Sequence, residues 1–143
     1  MRTLLFLGAL LLCLILEAVQ GFAAPTAPDQ HVPGTAVEMP YLIAPLTVEG
    51  KLISYAYVSS RIIAVSPSAA IDVRDKTPFI QDAYVRDVNH TSICDGSNPP
   101  KIDTGKLRTR LFADTMKIVG ADKLSEVELI KIQISELRPD PRN

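Results

Sequence analysis

Residues Val127 to Ser135, VELIKIQIS, constrain this chain more than any other stretch. Ile130, Ile132 and Ile134 alternate with Lys131 and Gln133, the two-residue period of a strand with one buried face. Strand backbone needs hydrogen-bonding neighbours, and the segments just upstream are helical in pattern. The partner strand therefore lies much earlier in the sequence.

Only one earlier region has the right character. Tyr41 to Val48, YLIAPLTV, and Leu52 to Val65, LISYAYVSSRIIAV, are β-branched and aromatic runs separated by Glu49-Gly50-Lys51, which predicts a hairpin. Pro45 makes the first run an edge strand or one with a bulge. In the second run Ile53, Tyr55 and Tyr57 alternate with Ser54, Ala56 and Val58, which gathers the tyrosines on one side. The expectation is that they pack beneath a helix. The competing reading makes Tyr55, Tyr57 and Arg61 a binding face, since aromatic residues and arginine are enriched at recognition sites.

Between hairpin and final strand the period changes. Ser66-Pro67 is a cap followed by a proline at the first helical position, with Ala69, Ala70 and Val73 continuing the helix. Thr77-Pro78 repeats that pattern, marking a second helix or a kink. Ile80, Ala83, Tyr84 and Val88 then form one stripe, with Asp82, Arg86 and Asp87 mostly on the other side. Asn89 to Ile102, NHTSICDGSNPPKI, follows neither period and reads as a loop. Asp103 or Thr104 caps a further helix carrying Leu107, Leu111, Thr115, Ile118 and Val119, and Gly120 is placed to end it. The predicted fold is α+β: a small antiparallel or mixed sheet, made of the N-terminal hairpin and the C-terminal strand, covered on one face by two or three helices.

The flanks are of another kind. Residues 1–23 hold Arg2, then an uncharged run from Leu4 to Leu16 that is short of the about 20 residues a spanning helix needs. Small residues follow, so cleavage after Ala23 or Gly21 predicts a signal peptide. Residues 24–40 contain Pro25, Pro28, Pro33 and Pro40 and read as an extended, disordered leader. The predicted organisation is a signal peptide over 1–23, a Pro-rich leader over 24–40, one domain over 41–137 and a disordered tail over 138–143. The location this implies is periplasmic or secreted, with membrane proximity if the first segment is not cleaved.

Composition narrows the function. Apolar residues make up 47% of the 143, but 17 of them fall in the first 23 positions; the other 120 residues hold 50, about 42%, ordinary for one globular domain. The formal net charge of −1, without a basic stretch, argues against a nucleic-acid partner. The length is too small for a TIM barrel or a full dinucleotide-binding fold. Export permits disulfides, yet Cys94 is the only cysteine beyond the leader, so the core alone must hold the fold.

Few residues suggest chemistry. His90 and Cys94 supply two ligands where structural zinc takes four, and His31 stands apart in the leader. The same pair is the only cysteine–histidine combination, and it lies in a proline-rich loop instead of an oriented catalytic frame. Asp103-Thr104-Gly105-Lys106 lacks the upstream glycine of a phosphate loop and reads as a helix cap. Asn89-His90-Thr91 is a formal glycosylation acceptor. Cys94 is a candidate intermolecular thiol. No catalytic residues, metal or cofactor are expected.

The stretches PLTVEGKLISYAYVSSRII, TPFIQDAYVRDVN and KIDTGKLRTRLFADTMKIVGADKLSEVELIKIQI together resemble the flagellar basal-body-associated FliL family over about residues 41–135. Lys106-Leu107 with Leu111, and Val127 to Ile134, carry the likeness. The chain is also similar to small exported alphaproteobacterial proteins. The resemblance implies a domain like those of stomatin-like proteins, which assemble side by side near a membrane. Two features depart from the family: the hydrophobic segment is short for an anchor, and the loop from Asn89 to Ile102 is long. The expected function is an exported, non-catalytic interaction module that associates with itself or with a protein partner in a cell-envelope or flagellar-type complex. The alternative is a periplasmic small-ligand-binding domain whose cleft beneath the helices is lined by Tyr55, Tyr57 and Arg61.

Overall fold

The computed structural model describes residues 32–97 and 101–136, which belong to one compact unit. The signal peptide expected over 1–23 and the tail over 138–143 lie outside the described residues. Four strands and three helices follow one another: β1 (Ala36–Glu38), β2 (Leu42–Val48), β3 (Lys51–Ala64), α1 (Pro67–Asp75), α2 (Thr77–His90), α3 (Thr104–Val119) and β4 (Leu124–Glu136). The fold is α+β, an antiparallel sheet with its helices on one face.

β3 is the spine of the sheet. β2 pairs with its first half and β1 with its last residues, both on the same side, while β4 runs along the other side from Ser54↔Glu136 to Ala64↔Leu124. The β2–β3 hairpin closes through Glu49 and Gly50, both at positive φ (49° and 77°), the geometry a two-residue turn needs to match strand twist. The domain begins earlier than the sequence reading placed it. Ala36–Glu38 lies inside the stretch read as leader, with Val37 and Met39 buried two residues apart. The prolines hid this pair of alternating apolar residues.

Alternation decides the two faces. Leu42, Ala44 and Leu46 on β2, and Ala56, Val58 and Ile62 on β3, point to the helices and join Ile80, Tyr84, Val88, Leu107 and Leu111 in one core. Burying each leucine, isoleucine or valine side chain contributes roughly 1.5–3 kcal/mol. Ser66 caps α1 by accepting from the Ala69 N–H at 3.1 Å, and Asp103 caps α3 by accepting from the Lys106 N–H at 2.9 Å. Thr77 caps nothing: Lys76 alone separates α1 from α2, and the Thr77 hydroxyl donates back to the Val73 carbonyl. Gly120 ends α3 at φ 99°, where an added Cβ would come within 2.7 Å of Asp122 Oδ1.

Two expectations for the later chain are corrected. β4 does pair with the hairpin, and Ile132 and Ile134, opposite Val58 and Ala56, share the helix side, but the three isoleucines do not form one buried stripe. Leu129 stands opposite Ser60 and Lys131 opposite Ser59, so Ile130 is an extra, bulged residue. Ile130 and Ile134 are 50% and 58% exposed, and only Ile132 packs against the core, beside Val127, Leu124 and Leu129. The bulge resets the two-residue period that strict alternation assumes. The segment from Asn89 to Ile102 is also less irregular than its composition suggests. α2 continues through His90, Ile93 is buried, and Cys94 bridges to Ile102. Asp95 holds the bend by accepting from the Ser97 and Lys101 N–H groups at 2.9 and 3.1 Å. These bonds, led by the Ser97 hydroxyl, lower its pKa from the ordinary carboxylate value.

Candidate interaction surface

From Tyr55 to Arg61 the odd-numbered residues of β3 lie on the side of the sheet away from the helices. Tyr55 stands between Pro45 and Ser135, Tyr57 between Ile43 and Gln133, and Arg61 between Glu38 and Glu128. Directly opposed residues of an antiparallel pair share a face, so these rows lie together. None of the three residues joins the helix-covered core. The expectation that the tyrosines pack beneath a helix, or line a cleft there, is therefore overturned. Small Ala56 and β-branched Val58, alternating with them, take the side under the helices.

The surface is part apolar and part charged. Ile43 and Tyr57 are 48% and 38% exposed, and Leu52, which the register shift after Leu46 sets opposite Thr47 on the same side, is 40% exposed. At the other end of β3 the Arg61 Nε donates to Glu128, and with Glu38 they form a row of alternating charge across three strands. Such directly opposed charges contribute roughly 0.2–1 kcal/mol each. Aromatic and aliphatic groups beside an oriented arginine can bind another polypeptide. No nucleophile–base pair stands among them.

The helical side offers a groove instead of a cleft. It lies between α2 and α3, has a volume of about 820 Å³ and is lined by the exposed Phe79, by Ala83 and Ile118, and by Asp82, Arg86 and Asp114. Its charges are engaged: Asp82 with Arg86, and Asp114 with Lys117 at 2.9 Å. Tyr84 ties the two helices beneath it. Thr115 donates to the Leu111 carbonyl at 2.8 Å, so its oxygen accepts from the Tyr84 hydroxyl at 2.6 Å. Burial pushes the Tyr84 phenol up to about 12, against a smaller lowering by Thr115.

The other singled-out residues do not converge. His90 is exposed on the last turn of α2, and Cys94 is half-buried against the core. Among the described residues no group of three His, Cys, Asp or Glu side chains could hold a metal ion. Asn89 is exposed within α2, and its amide donates to the Val85 carbonyl at 2.7 Å. Sequence reasoning missed Arg110, whose guanidinium bonds Asp87 at 2.7 Å and donates to the carbonyls of Asp87, Thr91 and Ser92 at 3.0–3.1 Å. It fastens the chain leaving α2 to α3. Nothing in a polar helix face distinguishes such an arginine from a solvated one. Asp72 and Lys123, 2.5 Å apart, join α1 to the turn before β4; the contact lowers the Asp72 pKa and raises that of Lys123.

Comparison with known proteins adds no relative: no protein-family model and no curated sequence matches the chain. Among the described residues no helix is long and apolar enough to cross a membrane.

Proposed function

We propose that the protein is an exported, non-catalytic interaction module whose helix-free sheet face binds another polypeptide in the cell envelope. The observation that carries this reading is the exposure of Ile43, Leu52 and Tyr57, with the Arg61–Glu128 pair farther along β3, on a face that no described helix covers. Exposed aromatic and aliphatic side chains with an arginine on the same face are the composition of protein-binding surfaces. Export rests on the sequence of residues 1–23, and placement beside a flagellar-type complex rests on the resemblance over residues 41–135. The ligand-binding alternative loses its motive, because Tyr55, Tyr57 and Arg61 line no cleft under the helices.

Chemical cross-linking of the full chain in its own cells tests the proposal. The wild type should give discrete cross-linked species, and the triple variant Ile43→Ser, Leu52→Ser, Tyr57→Ser should lose them while melting within a few degrees of it. A wild type that cross-links to nothing, or a triple variant that cross-links unchanged, overturns the reading.

A further inference from the structure

We infer that β4 pairs with the β4 of a second copy of this chain, antiparallel, in the register that sets Glu128 of each copy opposite Lys131 of the other. The inference rests on the interaction-module reading and names a partner for it, on the sheet's edge instead of its face.

The two edges of the sheet are not equivalent. The edge formed by β1 and β2 is interrupted at Met39 to Tyr41 and carries Pro45, and proline cannot donate to a ladder. β4 runs for 13 residues without proline and, among the described residues, pairs only with β3. A long edge of this kind is a template for another strand.

Charge selects the strand it fits. The row Glu38, Arg61, Glu128 alternates in sign across the sheet and reaches the β4 edge with a carboxylate. A carboxylate accepts several hydrogen bonds, and Glu128 brings its negative charge to this edge. Lys131 is exposed and makes no ion pair among the described residues. In a regular strand Glu128 and Lys131, three positions apart, would point to opposite faces. The bulge at Ile130 puts both on the helix-free face, opposite Arg61 and Ser59. The irregularity that spoils the isoleucine pattern thus makes the edge charge-complementary to itself.

Register follows from two-fold symmetry, which places the same patch of both copies together. A two-fold axis at Glu128 opposes two carboxylates, and one at Lys131 opposes two ammonium groups; both arrangements repel. An axis between Leu129 and Ile130 gives two Glu128–Lys131 pairs. It also sets Val127 against Ile132 on the helix side and Glu126 against Gln133 on the other, so the faces agree. Two grooves of about 450 and 230 Å³ follow the same edge between β4 and α3, share Arg108, and include Val127, Leu129 and Ile132 in their walls. Apolar surface for a second copy to cover is therefore in place.

Sedimentation equilibrium of the full chain tests this with two single variants. The wild type should dimerise, and Lys131→Glu and Glu128→Lys should each weaken the dimer about tenfold or more. An equimolar mixture of the two variants should recover it, because each copy then carries the charge its partner lacks. Lys131→Glu touches no intramolecular pair and keeps the test meaningful if Glu128→Lys, which also breaks the bond to Arg61, folds poorly. A wild type that stays monomeric at every concentration, a dimer indifferent to Lys131→Glu, or well-folded variants whose mixture shows no recovery overturns the inference. If the inference fails while the Ile43, Leu52 and Tyr57 variant still loses its cross-linked species, the interaction module stands with a different partner. If neither experiment finds a partner, both readings fall.

Discussion

The two faces of one sheet obey different rules here. On the helix side, β2 and β3 present Leu42, Ala44, Val58 and Ile62, each fully buried. On the other side the same strands present Ile43, Tyr57 and Arg61, which are only partly covered. Stability is concentrated on the first face, where close packing makes every methylene count. The second contributes less to folding and is free to serve recognition. A single strand, β3, presents both kinds of side chain at alternate positions, so neighbouring residues should respond very differently to substitution.

The largest test of that contrast compares Leu111 with Tyr57. Leu111→Ala opens a cavity in the core between α3 and the sheet, and its expected cost is about 3–5 kcal/mol. Tyr57→Ser removes a side chain from the open face, and about 1 kcal/mol or less should follow. Urea denaturation of both variants reads the difference. Comparable losses would mean that the open face is sealed in the native protein, and the division between faces would fail.

A second test uses pH. The Tyr84 phenol is held neutral by burial, with its pKa near 12 in the folded protein against about 10 when unfolded. The unfolded chain loses this proton first, so the stabilisation is complete below pH 10 and falls away as pH rises toward 12. Two units amount to about 2–3 kcal/mol. Tyr84→Phe should lose about 1 kcal/mol at neutral pH, the worth of its bond to Thr115, and should flatten the alkaline decline relative to the wild type. An unaltered limb in Tyr84→Phe would show that other groups control it.

Much of this contrast was legible from residues alone, and the parts that were not share a cause. The hairpin, the Ser66 and Asp103 caps, the Gly120 stop and the stripe of Ile80, Tyr84 and Val88 are local patterns, written in neighbouring residues. The choice of face for Tyr55 and Tyr57 is not local. It depends on which side of β3 the helices cross to, and Ala56 with Val58 makes the tighter seat. The bulge at Ile130 is equally hidden, since it exists only relative to Ser59 and Ser60, some 70 positions earlier. The charge row of Glu38, Arg61 and Glu128 is assembled from three strands and has no trace in any one of them.

The smallest effect separates two adjacent serines. Ser60 is 1% exposed on the helix side, and its hydroxyl has no hydrogen-bond partner among the described residues, whereas Ser59 is only half-buried on the open face. A buried hydroxyl left without a partner costs about 1–3 kcal/mol. Replacing it by a hydrogen relieves that cost and leaves a gap of only one oxygen, so Ser60→Ala should stabilise the protein by roughly 1 kcal/mol. Ser59→Ala, where water reaches the hydroxyl, should change stability by less than about 0.5 kcal/mol. Paired thermal melts at one pH decide it. A loss of stability in Ser60→Ala would mean that its hydroxyl is satisfied in solution, and the helix side of the sheet would then be wetter, and closer in character to the open face, than its packing implies.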